Sequence, residues 1–446
     1  MNPPFRKLPP HLWVALSNWL SRAGSVGAQL LCVPLLSTLL SPAEFAAYAI
    51  AVSLMSWYQL IDFGMGNSAQ NHVAEARARG VAEGHFVAAA ALVGGLVLCA
   101  AVVLIWPLSG LLASALLGKL ALPPQADARL VLALSGLLFV GAALGTVATK
   151  LLYALGKGVY ANLIALLNSL VFLLLLWGLA RQAAPEHRLL ASVLAYSLPM
   201  GISGLLTLTW LAVRRGAWNL SGVREALRQL GGRSWRFWLF ALLAAATLNV
   251  DYLIMSRTLP AEQIAAYNVL FRIYWAGMAL YSGLLSATWP VFSAMNVRGD
   301  HAGIHRHIRL YLGGGLGVLA LGSLAAAPLL PWILSWLAPG LHVPVTAPTL
   351  LLFSAYIGLR MWTDTYAVAL QALSEVGIFL KVVPLQALLS VGLQWTLAQR
   401  FGLNGILLGL ILSFVLTVVW ILPMTLRRRT RPSTAPHLPP AQAQTA

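Results

Sequence analysis

Apolar runs of about twenty residues follow one another along the 446-residue chain with little between them, and no other feature limits its fold as strongly. A helix of that length crosses the hydrocarbon core of a bilayer. In lipid its backbone groups must be satisfied within the segment, which favours helices. The runs fall near 13–39, 44–65, 86–107, 128–150, 158–180, 189–213, 235–256, 263–290, 309–330, 346–370, 377–398 and 404–426. The expected fold is therefore all-α, a polytopic membrane protein with twelve spans, six in each half. Only 9% of residues are charged, against about 25% in a soluble domain. Two Pro/Gly-interrupted stretches, 107–122 and 328–345, fit either helix or re-entrant segment. The first run follows Arg6 and Lys7. It is too long for the apolar part of a signal peptide and is expected to be retained.

The halves echo each other. Pro42-Ala43-Glu44 returns as Pro260-Ala261-Glu262, offset by 218, and Ala46-Ala47-Tyr48 as Ala265-Ala266-Tyr267, offset by 219. Leu152, Ala154 and Leu155 match Leu370, Ala372 and Leu373, again at 218. Independent matches at one period point to an internal repeat. The expected division is a six-helix lobe over 1–213, an amphipathic linker over 214–234, a second lobe over 235–426 and a disordered basic tail over 427–446. In the linker, Trp218, Leu220, Val223, Leu227 and Leu230 recur at helical spacing, as in a helix lying on the inner leaflet or a solvated connector.

A formal net charge of +17 would suggest nucleic acid in a soluble protein. Here the distribution gives another explanation. With both termini inside, twenty Lys and Arg fall on inner segments and six on outer ones, the positive-inside bias of a cytoplasmic membrane protein. Cys32 and Cys99 lie within expected helices, so a structural disulfide is not expected. His301, His305 and His307 precede span nine with only Asp300 beside them, which reads as a solvated loop rather than a metal site.

Three arginines remain inside spans. Asn18, Arg22, Ser25 and Gln29 are spaced four, three and four and share one helical face of span one. Span eight carries Asn268, Arg272, Trp275, Ser282 and Ser286; span ten carries Tyr356, Arg360, Thr363, Asp364 and Gln371. An arginine at bilayer depth costs about 2.5–3.5 kcal/mol on insertion scales, so such residues face a bundle interior or a wet cavity. Arg360 and Asp364, four apart, can neutralise one another, and each Asn or Gln can serve as interhelical hydrogen-bond glue. Arg22 and Arg272 have no acid one turn away, which points to function. The cavity candidates are Arg22, Arg272, Arg360, Asn18, Gln29, Asn268 and Tyr356. The acids Asp62, Asp251 and Asp364 are the candidates for ion coupling, with Asp251 able to meet Arg272 or Arg257. Excess positive charge between two halves suits an anionic cargo such as a diphosphate head, which guanidinium groups bind in bidentate fashion. Prolines inside spans, including Pro34, Pro199, Pro328 and Pro384, could bend helices for alternating access, or reflect packing alone.

The stretch from Leu39 to Gly80, with Pro42, Glu44, Phe45, Ala46, Tyr48 and the helix end Asp62-Phe63-Gly64, resembles the start of Wzx-type O-antigen flippases. These are polysaccharide transporters of the multidrug/oligosaccharidyl-lipid/polysaccharide (MOP) superfamily. The resemblance implies two six-helix lobes around a central cavity. It also implies translocation of undecaprenyl-diphosphate-linked oligosaccharide from the inner to the outer leaflet, with proton-driven antiport and with Arg22 as a cavity residue. Membrane lipids, a polysaccharide polymerase and a chain-length regulator are the expected partners; no cofactor or nucleic acid is expected. A drug/cation antiporter of the same superfamily would share the fold, but span one has an arginine and no acid. A polymerase would need sizeable outer loops, and every outer loop here is short. No phosphate-binding loop follows a strand-like segment, and Gly313-Gly314-Gly315 lies within an apolar span, so ATP-driven transport is not expected.

Overall fold

The computed structural model describes residues 10–123, 126–182, 184–339, 345–373, 375 and 377–430. Arg6, Lys7, the side chain of Ser286 and the expected tail from 431 onward lie outside the described residues. The described chain is helical, without strands: α1 (Pro10–Leu39), α2 (Pro42–Tyr58), α3 (Met65–Ala78), α4 (Gly84–Leu112), α5 (Ala128–Ala154), α6 (Gly158–Gln182), α7 (Arg188–Arg215), α8 (Leu220–Leu248), α9 (Asp251–Thr258), α10 (Ala261–Val297), α11 (His301–Leu337), α12 (Ala347–Ala372), α13 (Gly377–Val415) and α14 (Val418–Arg429).

Seven of these stretches are long and apolar enough to cross a membrane: 84–117, 128–154, 158–179, 188–215, 220–258, 301–337 and 377–429. The helices α1, α10 and α12 have the length, at 30, 37 and 26 residues, but carry the polar stripes. The protein is a multi-pass membrane protein, and its surface says the same. Val103, Leu111, Val318, Leu321 and Leu324 are exposed, a distribution that suits lipid rather than water as solvent.

Local chemistry explains the boundaries. Ser41 caps α2 in a capping box: its hydroxyl accepts from the Glu44 N–H, and the Glu44 carboxylate accepts from the Ser41 N–H at 2.9 Å. The motif acid Glu44 thus closes a turn. The motif acid Asp62 does likewise, accepting from the N–H groups of Gly64 (2.7 Å) and Gly66 (3.2 Å) with Lys150 3.9 Å away. Phe63 and Gly64 are left-handed, so the chain reverses there into α3. Gly402 in α13, at φ +56°, makes another sharp turn. A Cβ on Gly405 would lie 2.1 Å from the Leu397 carbonyl oxygen and one on Gly409 2.6 Å from Gln394 Cα, so the two legs of α13 fold back as a hairpin. Of the ambiguous stretches, 107–117 continues α4 through one π-turn and 328–337 completes α11, with Pro107, Pro328 and Pro331 inside.

α5 lies most extensively on α7, with Gly141, Gly145, Gly201 and Gly204 bringing the backbones into direct contact; a Cβ on Gly204 would sit 2.3 Å from the Gly141 carbonyl oxygen. α1 packs on α6, while α10 packs on α12 and α12 on α11, α13 and α14. The repeated Ala-Ala-Tyr triplets are interior in both halves, with Tyr48 and Tyr267 fully buried. Crossing contacts join α1 to α10 and α11, α2 to α9 and α10, and α8 to α3 and α4.

The segment 214–234 departs from the expectation of a separate surface helix. α8 runs unbroken from the linker into the seventh span, and its first turns dock on the first half. Ser68 donates to the Leu230 carbonyl (3.0 Å), Arg233 pairs with Glu75 (2.7 Å), and the Trp238 indole donates to the Leu60 carbonyl (3.0 Å). Part of the apolar stripe meets protein, with Val223 and Leu230 buried beside Ala226 against α3 and α4, while Trp218 and Leu220 stay exposed.

Candidate functional site

A cavity of about 250 Å³ opens between the halves. Its walls come from α1, α2 and α7 on one side and from the end of α8, α9 and α10 on the other. Arg272 of α10 projects into it. The guanidinium Nε donates to Asn268 Oδ1 at 3.0 Å, Nη1 reaches the Gln29 carbonyl of α1 at 3.5 Å, and the group lies 6.0 Å from the Tyr48 ring of α2. Asn268 is fixed in turn by donating to the Tyr252 hydroxyl of α9 at 2.7 Å. Among the described residues, no carboxylate lies within ion-pairing distance of Arg272. A half-buried cation held only by neutral partners keeps donors for an incoming anion.

Asp251 lines the same cavity yet pairs with neither Arg272 nor Arg257. Its carboxylate accepts from the Tyr267 hydroxyl and from the Tyr252 N–H (2.9 Å), and it is buried at 4% exposure. The cavity therefore holds one cation and one acid that meet at Tyr252: Arg272 through Asn268 to its hydroxyl, Asp251 through its backbone N–H. No ion pair cancels them.

The other candidates are dispersed. Gln29 and Asn268 line the cavity with Arg272. Arg22 lies instead at the α1–α10 seam, its Nε donating to Asn18 Oδ1 (3.3 Å) and its Nη1 to Ser282 Oγ (2.9 Å), with no carboxylate at ion-pairing distance among the described residues. Arg360 is 8% exposed and pairs with Asp364 at 3.2 Å. That pair borders a second cavity of about 180 Å³ within the second half, also lined by Thr247, Gln371 and Gln386. The Arg360 guanidinium sits 5.8 Å from the Trp275 ring, which lines the central cavity. Tyr356 is buried edge-on against Phe414 and lines neither cavity. The three arginines do not form one cluster: Arg22 lies at the α1–α10 seam, Arg272 in the central cavity and Arg360 beside the second cavity. Asp62 is the turn-forming acid described above.

Sequence reasoning did not single out Ser53, Ser56, Tyr196, Asn249 or Tyr252, all of which line the central cavity. Ser53 and Ser56 continue the polar face of span two at helical spacing, a signal that was there to find. Tyr196 and Tyr252 carried none, because their position depends on how α7 and α9 approach α2.

Residues 15–296 match the profile of the family described as polysaccharide biosynthesis protein, more than half of the chain. The chain belongs to that family. Within this polysaccharide biosynthesis family it is 30% identical to a proposed O-antigen transporter of Salmonella typhi, over 94% of this chain and 96% of the relative. It is 29% identical to a proposed O-antigen export protein of Yersinia pseudotuberculosis, over 94% and 97%. Among solved structures, it is similar to an inward-facing multidrug resistance transporter of the MATE family and MOP superfamily (TM-score 0.71, 14% identity, 94% of this chain and 99% of that one). It is also similar to the lipid II flippase MurJ in an inward closed conformation (TM-score 0.69, 12% identity, 93% and 87%). The family member thus has the MOP fold.

Proposed function

We propose that this protein is a flippase for undecaprenyl-diphosphate-linked oligosaccharide, an O-antigen or other surface polysaccharide repeat unit, working in the bacterial inner membrane from the cytoplasmic to the periplasmic leaflet. The observation that carries the reading is Arg272: a guanidinium without a carboxylate partner among the described residues, in a cavity bounded by helices of both halves. A diphosphate crossing the low-dielectric core needs such a compensating charge. Twelve spans in two six-helix lobes, with both termini cytoplasmic, give the cavity a rocking seam for alternating access. The names of the family relatives support the cargo, and the likeness to MurJ supports the fold for a lipid-linked one.

The reading extends to coupling. Asp251 is the acid placed in the chamber with Arg272, and proton exchange there gives a gradient access to the substrate site; Asp364 is already committed to Arg360 and Asp62 to its turn. A cationic-drug reading is disfavoured by the same chamber, whose exposed charge is positive. The test is complementation of a strain lacking its own flippase. Wild type is expected to restore surface polysaccharide and Arg272→Gln to leave membrane insertion intact without restoring it. Full restoration by Arg272→Gln would remove the charge from the account.

A further inference from the structure

A third cavity is larger than either of the polar ones. A groove of about 570 Å³, walled almost entirely by apolar atoms, runs between α10, α11 and α12, with Trp19 of α1 at its edge. α10 is the partition: Asn268, Arg272 and Trp275 face the central cavity, whereas Gly277, Tyr281 and Leu284 face the groove. Tyr281 spends its hydroxyl on Thr365 (2.7 Å) and presents its ring. The α11 wall includes Gly314, Gly315 and Gly322, and at Gly314 and Gly322 a Cβ would meet nothing within 4 Å.

Length selects the occupant. On α11 the lining runs from Leu310 to Ile333, roughly 35 Å at about 1.5 Å per residue. That matches the whole hydrocarbon core of about 30 Å, twice what one leaflet's acyl chain reaches. The groove also joins the basic side of the molecule. Trp19 stands one helical turn before Arg22, and Arg22 donates to Ser282, the neighbour of the groove residue Tyr281. We propose that the groove binds the long polyisoprenoid chain of the lipid carrier whose diphosphate the central cavity takes. The inference rests on the flippase reading and adds to it a tail site separate from the head site. A chain lodged along the full thickness of the core stays in one place while the head group changes leaflets. The apolar part of the cargo then needs no barrier crossing of its own.

The test uses the full-length protein in nanodiscs and a long-chain polyprenyl diphosphate carrying a diazirine near the end of its chain, with geranyl diphosphate as a short-chain probe. Photolabel is expected on α10 and α11 peptides around Tyr281 and Gly314, removed by excess unlabelled long-chain diphosphate and not by excess phosphatidylglycerol. Gly314→Leu with Gly322→Leu fills open space on a helix that tolerates it, and should reduce that labelling to background while geranyl diphosphate binding stays as in wild type. Label elsewhere on a protein that still binds the long-chain probe would overturn the tail site and leave the flippase reading standing. So would groove labelling that phosphatidylglycerol removes equally well. Failure of wild type to bind either diphosphate would instead strike the flippase reading, and the tail site with it.

Discussion

Replacing Arg272 by Gln keeps a side chain able to reach Asn268 while removing the charge and the forked donors. In the wild type, one guanidinium nitrogen is committed to Asn268 at 3.0 Å and another reaches the Gln29 carbonyl only at 3.5 Å, so donors remain for a phosphate. A hydrogen bond to a charged group contributes about 1.5–3 kcal/mol. Since each 1.4 kcal/mol is tenfold in affinity, losing one such contact predicts roughly 10- to 150-fold weaker binding of geranyl diphosphate. Arg272→Lys should fall between, because charge is kept and the bidentate geometry lost. Isothermal titration of the purified protein reads these differences, and rising salt should weaken the wild type more than Arg272→Gln. Wild-type affinity in Arg272→Gln, or equal salt dependence, would refute the assignment of this guanidinium as the phosphate partner.

Other expectations follow from the same contacts. Asp251→Asn can still accept from the Tyr252 N–H, turns an amide donor toward the Tyr267 oxygen and cannot exchange a proton, so transport into vesicles should become indifferent to an imposed pH gradient while diphosphate binding persists; retained gradient dependence would move coupling elsewhere. Gly204→Ala places a Cβ 2.3 Å from the Gly141 carbonyl oxygen, and such overpacking should cost about 1–3 kcal/mol in thermal unfolding, whereas Gly95→Ala, with open space around it, should be neutral or stabilising. His305 hydrogen-bonds to Thr430 at 2.8 Å, and burial, followed by Arg427, Arg309 and His301, holds its pKa below the usual 6.5. Because the unfolded state binds the proton more readily, the contact of α14 with α11 is stable above about pH 6.5 and weakens below it. Hydrogen exchange at 425–430 should therefore quicken between pH 7.5 and pH 5.5, as it would not in His305→Gln.

Much of this architecture could be read from hydropathy, because lipid-facing positions must be apolar for any arrangement of helices. Pairs within one helix were legible too: spacing by four put Asn18 beside Arg22, Asn268 beside Arg272 and Arg360 beside Asp364, and each pair is bonded. What spacing does not contain is the rotation of one helix against another. That is why Arg22 meets Ser282, 260 residues away, rather than the central cavity, and why Asp251 meets Tyr267 rather than an arginine. The linker shows the same limit. Its apolar stripe was visible, but an apolar stripe fits lipid and protein equally, and only the Arg233 and Ser68 contacts with α3, and that of Trp238 with the turn before it, decide for protein.

The central claim is that a lone guanidinium between two halves carries a lipid-linked diphosphate across the bilayer. Its most direct test is translocation in proteoliposomes of a fluorescent oligosaccharide on polyprenyl diphosphate, read by quenching from outside. The account predicts that wild-type protein makes the inner-leaflet pool accessible and that Arg272→Gln, equally reconstituted, does so no faster than protein-free vesicles. Translocation by Arg272→Gln at the wild-type rate, or none by wild type, would contradict it.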